Sequence, residues 1–583
     1  LAWLERAYRR GKKCKRQSGK RASQKSRRAN TSHIGLVDMP QSNHEFDYVI
    51  VGAGSAGCAL ANRLTEDRDV RVLVIEAGGS DRCPLISVPL GWGRILFRRL
   101  FDWGYFTEPE PQLDGRKVEC ARGRVLGGSS SINAMAYVRG HRADYDRWAA
   151  SGLTGWSYAD VLPYFRKQED WVGGADSYRG SGGPLTTFRS RYADPLVHAF
   201  MAAGQSAGLG VTEDYNGARN EGISRLQWTI RNGKRCSATV AYLRPALARD
   251  NLKVRANALA LRIVIDGRRA VGVEYEFGGV RVARAAREVI LAGGVINSPQ
   301  LLMLSGIGNP DHLASHGIAC VHPLPGVGQN LQDHITVGIE YQRIGDGPFV
   351  SRLRYDKIAL AMAQAYFLGT GFATEMPGPV TGFFKTDPSL AQPDIQLLSR
   401  LVPPESQPWF PGIRPRPRDA FMVRPVVLHP ESRGELKLHS ADPRAAPAIH
   451  QNFLSEPNDW ETLRRGITMM RDLVAQKALD PYRGSEIQPG PGVTSKANID
   501  AFIRRTAWTV HHPLGTCRMG KDDDDLAVLD TQLRVRGMQG LRVVDASAMP
   551  DMVGGNINAP VVMIAEKAAD FIRGRKVLAP ATM

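Results

Sequence analysis

The stretch from Phe46 to Glu76 constrains this chain more than any other. It reads Phe46-Asp-Tyr-Val-Ile-Val51, Gly52-Ala-Gly54-Ser-Ala-Gly57, Cys58-Ala-Leu-Ala-Asn-Arg-Leu64, then Val70-Arg-Val-Leu-Val-Ile-Glu76. An apolar run suited to a buried parallel strand enters a glycine turn. A helix follows with Leu60 and Leu64 on one face, and a second apolar run ends in an acid. This is the outline of a βαβ dinucleotide-binding unit. Gly52 makes the tight turn, Gly54 lets backbone approach a pyrophosphate, and Gly57 lets helix and strand pack closely. The helix N-terminus presents free N–H groups and positive dipole to the anion. Glu76 lies where a carboxylate can accept from a ribose hydroxyl. The glycines alone are weak evidence, since 60 Gly in 583 residues give about 0.6 chance matches. The weight lies in strand before, helix after, and an acid 19 residues past Gly57.

Bulk properties narrow the class. At 583 residues the chain exceeds one ordinary core, so two domains or one elaborated domain are expected. The seven cysteines are scattered, odd in number and include no C-x-x-C. A disulfide framework or zinc site is therefore not expected, no metal is assigned, and a reducing compartment, the cytoplasm, fits best. The net charge of +18 is uneven: residues 1–38 carry 12 Lys/Arg against Glu5 and Asp38, a net of +10, which leaves +8 for the other 545. That remainder needs no nucleic acid to explain it. Residues 1–45 read as a disordered basic tail, too poor in apolar residues to fold alone. A basic arm, an organelle-targeting segment and a mis-called start compete, and Met39 is the favoured candidate start.

Further along, Gly123-Arg-Val-Leu-Gly-Gly-Ser-Ser-Ser-Ile-Asn133 offers N–H and hydroxyl donors able to wrap phosphates or a polar ring. Arg235 to Leu243 reads as a helix. Asn251–Val254, Leu261–Ile265 and Ala270–Tyr275 alternate as antiparallel strands would. Arg287 to Gly294 repeats the grammar of buried strand into glycine turn, and Ser298 to Leu304 fits a helix with Pro299 at its first position. The run Ile358 to Leu368 is too short to span a bilayer and reads as a core or cavity-lining helix. Near the end come Thr509-Val-His-His-Pro-Leu-Gly-Thr516, a strand ending in Asp545, and Gly554-Gly-Asn-Ile-Asn-Ala-Pro560 before an amphipathic helix. The recurring strand–glycine units imply a discontinuous nucleotide fold.

These pieces in this order resemble the glucose-methanol-choline (GMC) family of FAD-dependent oxidoreductases, on its alcohol dehydrogenase and choline dehydrogenase branch. The resemblance spans Phe46 to about Arg575. It rests on Gly123–Asn133, on Gly294-Val-Ile-Asn-Ser-Pro-Gln-Leu-Leu-Met-Leu-Ser-Gly-Ile-Gly308, and on Gly326-Val-Gly-Gln-Asn-Leu-Gln-Asp-His334. Val295 departs mildly from the small residue usual there. The implied fold is α/β: a discontinuous Rossmann-type FAD-binding domain (46–160, 218–328 and 506–575) plus an α+β substrate-binding domain with an antiparallel sheet (161–217 and 329–505).

The implied cofactor is FAD. The resemblance puts its ADP moiety on Gly52, Gly54, Ser55, Ala56, Gly57, Glu76 and Ala77. It puts the ribityl chain and flavin along Gly127, Gly128, Ser129, Asn133, Ala134, Met135 and Ala136. Ala260, Asp545 and Ala546 are further contacts, and Asn558 approaches the pyrimidine edge. Ile132 stands where some members carry a His bonded to FAD, so non-covalent binding is expected.

The resemblance also implies that His512, just before Pro513, is the base and Asn556 its partner. Oxidising an alcohol removes a proton from oxygen and a hydride from carbon. A neutral His can take the proton, an amide can bond the same oxygen, and flavin N5 accepts the hydride. His511 is expected to point elsewhere, because neighbours on an extended segment alternate. Choline-specific relatives carry an acidic, aromatic segment where this chain reads Glu375-Met-Pro-Gly-Pro-Val-Thr-Gly-Phe383. Glu375 is offset and the aromatic is missing, which points away from choline and toward an uncharged primary alcohol. The expected activity is therefore oxidation of a primary alcohol to the aldehyde, with choline dehydrogenation as one alternative. The other is non-redox chemistry on FAD, by a lyase or decarboxylase. Family decarboxylases lack the His-Pro pair and carry a Cys near the position of Leu428. The expected partners are a small alcohol and an electron acceptor (oxygen, quinone or dye) with no nucleic acid. Peripheral contact with the cytoplasmic face of a membrane, and the oligomeric state, stay open.

Overall fold

The computed structural model describes residues 45–582 apart from 404 and 405, so the basic tail and Met39 lie outside it. Glu45–Val51 and Val72–Glu76 form parallel strands on either side of the helix Ser55–Leu64. All five residues of the second strand are buried, and Val49 and Ile50 are fully so. Each such aliphatic side chain contributes about 1.5–3 kcal/mol on burial, which is what drives an apolar run to the centre of a sheet. Gly52 has φ +102°, and a Cβ there would collide with the Ala292 carbonyl. A Cβ on Gly57 would collide with the Gly52 carbonyl, so the helix can sit on its strand only without one.

The sheet has seven strands. Leu252–Ala256, Val72–Glu76, Glu45–Val51, Val280–Leu291 and Leu541–Val543 run parallel. Arg269–Glu276 and Leu259–Asp266 extend it antiparallel from Val280–Leu291. Segments more than 200 residues apart thus join one sheet. Leu252–Ala256, expected to be antiparallel, pairs parallel with Val72–Glu76. The C-terminal helix Asn558–Ile572 packs on the opening one, where buried Arg63 pairs with Glu566 and with Asp570 at 2.8 Å.

A second sheet of eight strands is antiparallel, with Ile339–Arg343, Ala420–Val427, Ile395–Arg400 and Val380–Phe384 at its centre. Gly222–Arg225 and Trp508–Thr509, expected in the cofactor domain, pair in this sheet. Alternation gives it two faces. Ile395, Leu397, Phe421 and Val423 pack against Leu463, Ile467 and Met470 of the helix Pro457–Val474. Gln396, Leu398, Arg400, Met422 and Arg424 therefore face the other way.

Three local expectations change. The helix expected from Ser298 starts at Gly294, with Pro299 inside it. Proline lacks the N–H that would bond the Val295 carbonyl, and the Thr516 hydroxyl bonds that carbonyl instead at 2.6 Å. Arg235–Leu243 holds a π-helical turn over Thr239–Leu243. The helix Tyr355–Leu368 buries only Ile358 and Ala365 and exposes Leu360, Phe367 and Leu368, so it is not a core helix. No helix among the described residues is long and apolar enough to cross a membrane.

Candidate active site

A cavity of about 530 Å³ runs between the two sheets. Its wall carries Gly52, Gly54 and Glu76 at one end and Trp508, His512 and Asn556 at the other. The nucleotide end suits FAD. The helix that starts at Ser55 turns its N-terminus to the cavity, and space is open over Gly54, where a Cβ would find only the Ala292 carbonyl, 3.9 Å away. The buried Glu76 carboxylate accepts from the Ala53 and Gly78 N–H groups at 2.8 and 2.6 Å, and each oxygen keeps a further lone pair. Ser55, Ala56, Ala77, Gly128, Ser129, Asn133, Ala134, Met135, Ala136, Ala260, Asp545, Ala546 and Asn558 also line the cavity. Gly57 and Gly127 do not. Gly57 is on the side of the helix that packs on the Gly52 turn, and the Gly127 N–H bonds the Ala53 carbonyl at 2.7 Å, holding the serine loop to the first turn. Ser55 donates to Asn558 Oδ1 at 2.7 Å, which ties the first helix to the last. Asp545 accepts from the Gly294 N–H at 2.8 Å, and from Ser298 and Ser547 at 2.6 Å each, so its carboxylate is occupied within the protein.

The reactive end is built around two histidines. His334 Nε2 lies 3.0 Å from the Leu428 carbonyl, which can only accept, so His334 carries its proton there. Its Nδ1 is then an acceptor, and His512 Nδ1, 3.0 Å away, must donate to it. That leaves the lone pair of His512 on Nε2, 2.9 Å from the Asn556 amide nitrogen. Burial pushes the His334 pKa down to about 3, with His429 adding to the effect. Burial, then His334 and Arg122, hold His512 well below the usual histidine range, so both rings are neutral at pH 7.

Asp333 positions His512. Its Oδ1 accepts the His512 backbone N–H at 2.8 Å and its Oδ2 accepts from the Thr509 hydroxyl, which in turn accepts the His511 N–H at 2.7 Å. Asn556 is set by its own loop, where buried Asp144 accepts the Gly554 N–H and bonds His429, both at 2.8 Å. His511 also lines the cavity, against expectation. Its φ of +64° breaks the extended path on which alternation of neighbours depends.

Burial raises the Asp333 pKa to about 6, against the lowering by Thr509 and Arg122. The ionised form, with both acceptors in place, is thus present above pH 6 and lost as pH falls through it. The rate of flavin reduction is expected to drop below pH about 6, while His512 itself titrates lower. Asp333→Asn should give a slower enzyme without that acid limb. Stopped-flow reduction across pH 4.5–8 reads this, and a limb that persists in the variant assigns it to another group.

Sequence reasoning did not assign His334, Asp333, Arg122, Arg400 or Arg424, all of which bear on this end. Asp333 and His334 close the quoted run Gly326–His334, but nothing in that run shows what they touch. Trp92, Trp228 and Trp508 line the cavity and supply the aromatic surface missing near Glu375. Glu375 itself turns away, accepting from the Ser190 hydroxyl at 2.8 Å and the Arg191 N–H at 3.0 Å. Among the described residues the only carboxylates lining the cavity are Glu76 and Asp545, whereas Arg122, Arg400 and Arg424 all line it. No cluster of three or more metal-ligating side chains occurs among the described residues.

Two family models described as GMC oxidoreductase match the chain, at residues 46–336 and 430–565. A protein named oxygen-dependent choline dehydrogenase from Brucella anthropi is 46% identical over 536 residues, 92% of this chain and 97% of its own. One of the same name from Rhizobium etli is also 46% identical, over 91% and 96%. Among solved structures, pyridoxine 4-oxidase from Mesorbium loti is 33% identical with TM-score 0.81, covering 91% of this chain and all of its own. Aspergillus oryzae formate oxidase is 28% identical with TM-score 0.83, over 92% and 99%.

Proposed function

The chain belongs to the GMC oxidoreductase family and is an FAD-dependent enzyme of CH–OH donors, and we propose that it oxidises a primary alcohol to the aldehyde with His512 as base. Bound FAD supplies the hydride acceptor, flavin N5. The observation that carries the assignment of the base is the hydrogen-bond relay from the Leu428 carbonyl through His334 to His512. It commits the Nδ1 proton of His512 to His334 and leaves Nε2 unprotonated at the cavity wall, where it accepts from the Asn556 amide. An alcohol hydroxyl entering beside Asn556 would give its proton to Nε2 as hydride leaves the carbon. The Asn556 amide would donate to the same oxygen and stabilise its developing negative charge. Ile132, where a covalent link would need a His, supports non-covalent FAD.

Choline is the second reading, favoured by the names of the relatives. The charge of the cavity opposes it. A quaternary ammonium calls for a carboxylate and aromatic faces. The aromatic faces are there, but Glu375 is turned away and two guanidiniums face inward instead. The test is anaerobic bleaching of the flavin with a panel of primary and secondary alcohols and choline. A primary alcohol is expected to bleach it fastest, and choline to be at least about 10-fold slower than a neutral alcohol of similar length. Fastest bleaching by choline would reverse the choice, and none by any alcohol would sink the reading. Re-oxidation of the bleached enzyme with oxygen, a quinone and a dye in parallel then identifies the acceptor.

A further inference from the structure

We propose that Arg400 and Arg424 form a carboxylate-binding subsite, so that the alcohol this enzyme takes carries a carboxylate at the end away from its hydroxyl. The inference rests on the alcohol-oxidising reading above and narrows its substrate class.

The geometry is a consequence of sheet register. On Ile395–Arg400 and Ala420–Val427, Arg400 lies opposite Met422 and Leu398 opposite Arg424. The two arginines are therefore diagonal neighbours on one face, with Cα atoms on the order of 7–8 Å apart. Gln396, on the same face, reaches Asn556 Oδ1 at 3.5 Å, so this face looks onto the reacting end. The rise of a strand puts Leu398, and so Arg424 opposite it, about 7 Å from Gln396, and Arg400 about 13 Å from it. Both arginines line the cavity and are half-buried.

The two cations lack what buried arginines normally have. Nε of each is buried without a hydrogen-bond partner. Neither guanidinium makes an ion pair or hydrogen bond among the described residues. Glu340, across Met422 on the next strand, offsets part of the Arg400 charge. Among the described residues Arg424 has only the Trp508 ring, 5.9 Å from its guanidinium carbon. Burial, then Arg400, pushes the Arg424 pKa down to about 10, which leaves it charged at neutral pH. Bringing two like charges together inside a cavity is costly unless an anion joins them. A planar fork pairs best with a planar carboxylate, in a bidentate fashion. The same field disfavours a choline headgroup.

Two readouts test the subsite on the FAD-loaded enzyme. The first needs no turnover: titration of the oxidised flavin spectrum with hexanoate and with its neutral isostere hexanamide. Hexanoate is expected to bind at least about 10-fold tighter, and Arg424→Met to abolish that difference. The second is the ratio of kcat/KM for 6-hydroxyhexanoate to that for 1-hexanol. It is expected to exceed about 10, to fall to one or below in Arg424→Met, and to be partly kept in Arg424→Lys. Arg400→Met serves where Arg424→Met fails to hold FAD. Equal binding of hexanoate and hexanamide, or a ratio that survives both Met variants, overturns the inference. So does a Met variant that slows every alcohol alike, since the arginine would then act on something other than the substrate's far end. If hexanoate binds through Arg424 but no alcohol bleaches the flavin, the subsite stands and the alcohol reading is what fails.

Discussion

Replacing His512 with alanine is expected to slow anaerobic flavin reduction by about 10²–10⁴-fold, the range for loss of a positioned base, while the protein stays yellow. The change is local. His512 stands at the reacting end of the cavity, far from the Gly52–Glu76 cradle, so FAD retention should hardly change. Its Nε2 is the unprotonated nitrogen that the relay through His334 leaves facing Asn556. His334→Gln is a useful companion, because it removes the ring that fixes the tautomer without removing the base. It should cost less than His512→Ala and lower the rate by a similar factor at every pH, since the neutral tautomer with Nε2 protonated can then form. If His512→Ala reduces as fast as the parent with every alcohol that bleaches the parent, the base lies elsewhere.

The largest effect on stability is expected at Glu169. Its carboxylate is fully buried between Arg139 at 2.6 Å and Arg179 at 2.7 Å, whose side chains are 1% and 0% exposed. The Thr187 hydroxyl and the Gly180 N–H, at 2.7 and 3.2 Å, satisfy its remaining lone pairs. Burial works against the Arg139 charge, but Glu169 together with Tyr137 and Tyr158 more than offsets it, so that guanidinium is held above its usual range. Glu169→Gln keeps the size and removes the anion, which leaves two buried cations with Asp214, 3.3 Å from Arg179, as the nearest compensation. A loss of about 3–5 kcal/mol is expected, read by urea denaturation of the holoenzyme at fixed FAD. A loss under about 1 kcal/mol would falsify the claim that this pairing is needed. The effect should reach the cofactor too. Arg139 lies three residues past the segment Gly128–Ala136, of which all but Ser130 and Ser131 line the cavity. Looser FAD binding should accompany the lower stability.

Much of the cofactor end is legible in the chain itself. Gly52, Gly54 and Glu76 form a pattern of strand, turn and helix within thirty-odd residues, in which Gly52 turns at positive φ and Gly54 leaves space open over the backbone. The Gly127–Ala136 loop and the residues about Asn556 are reached through the family's motifs, and the cofactor contacts expected there, Gly127 excepted, line the cavity. Local signals fail where a distant group repairs a local fault. Pro299 reads as a helix start because its missing N–H should matter, yet Thr516, more than 200 residues on, bonds the carbonyl it leaves free. The helix Tyr355–Leu368 is apolar enough to be core, yet nothing covers Leu360 or Phe367 among the described residues.

The sequence by itself determined the βαβ cradle, the class of cofactor and the candidacy of His512 and Asn556, because those signals lie in short runs with a strong period or in long motifs. Tertiary structure alone decided the electrical character of the substrate end. Strand periodicity says that Gln396, Leu398 and Arg400 share a face, but not which way that face turns. The choice is made by the helix Pro457–Val474, which takes Ile395 and Leu397 against its own apolar stripe and leaves the arginines to the cavity. The tautomer of His512 was likewise out of reach, since it depends on a carbonyl at Leu428 and a ring at His334, far from it in the chain. Hydrogen-bond and charge partners are set by distance in space, and a sequence records only distance along the chain.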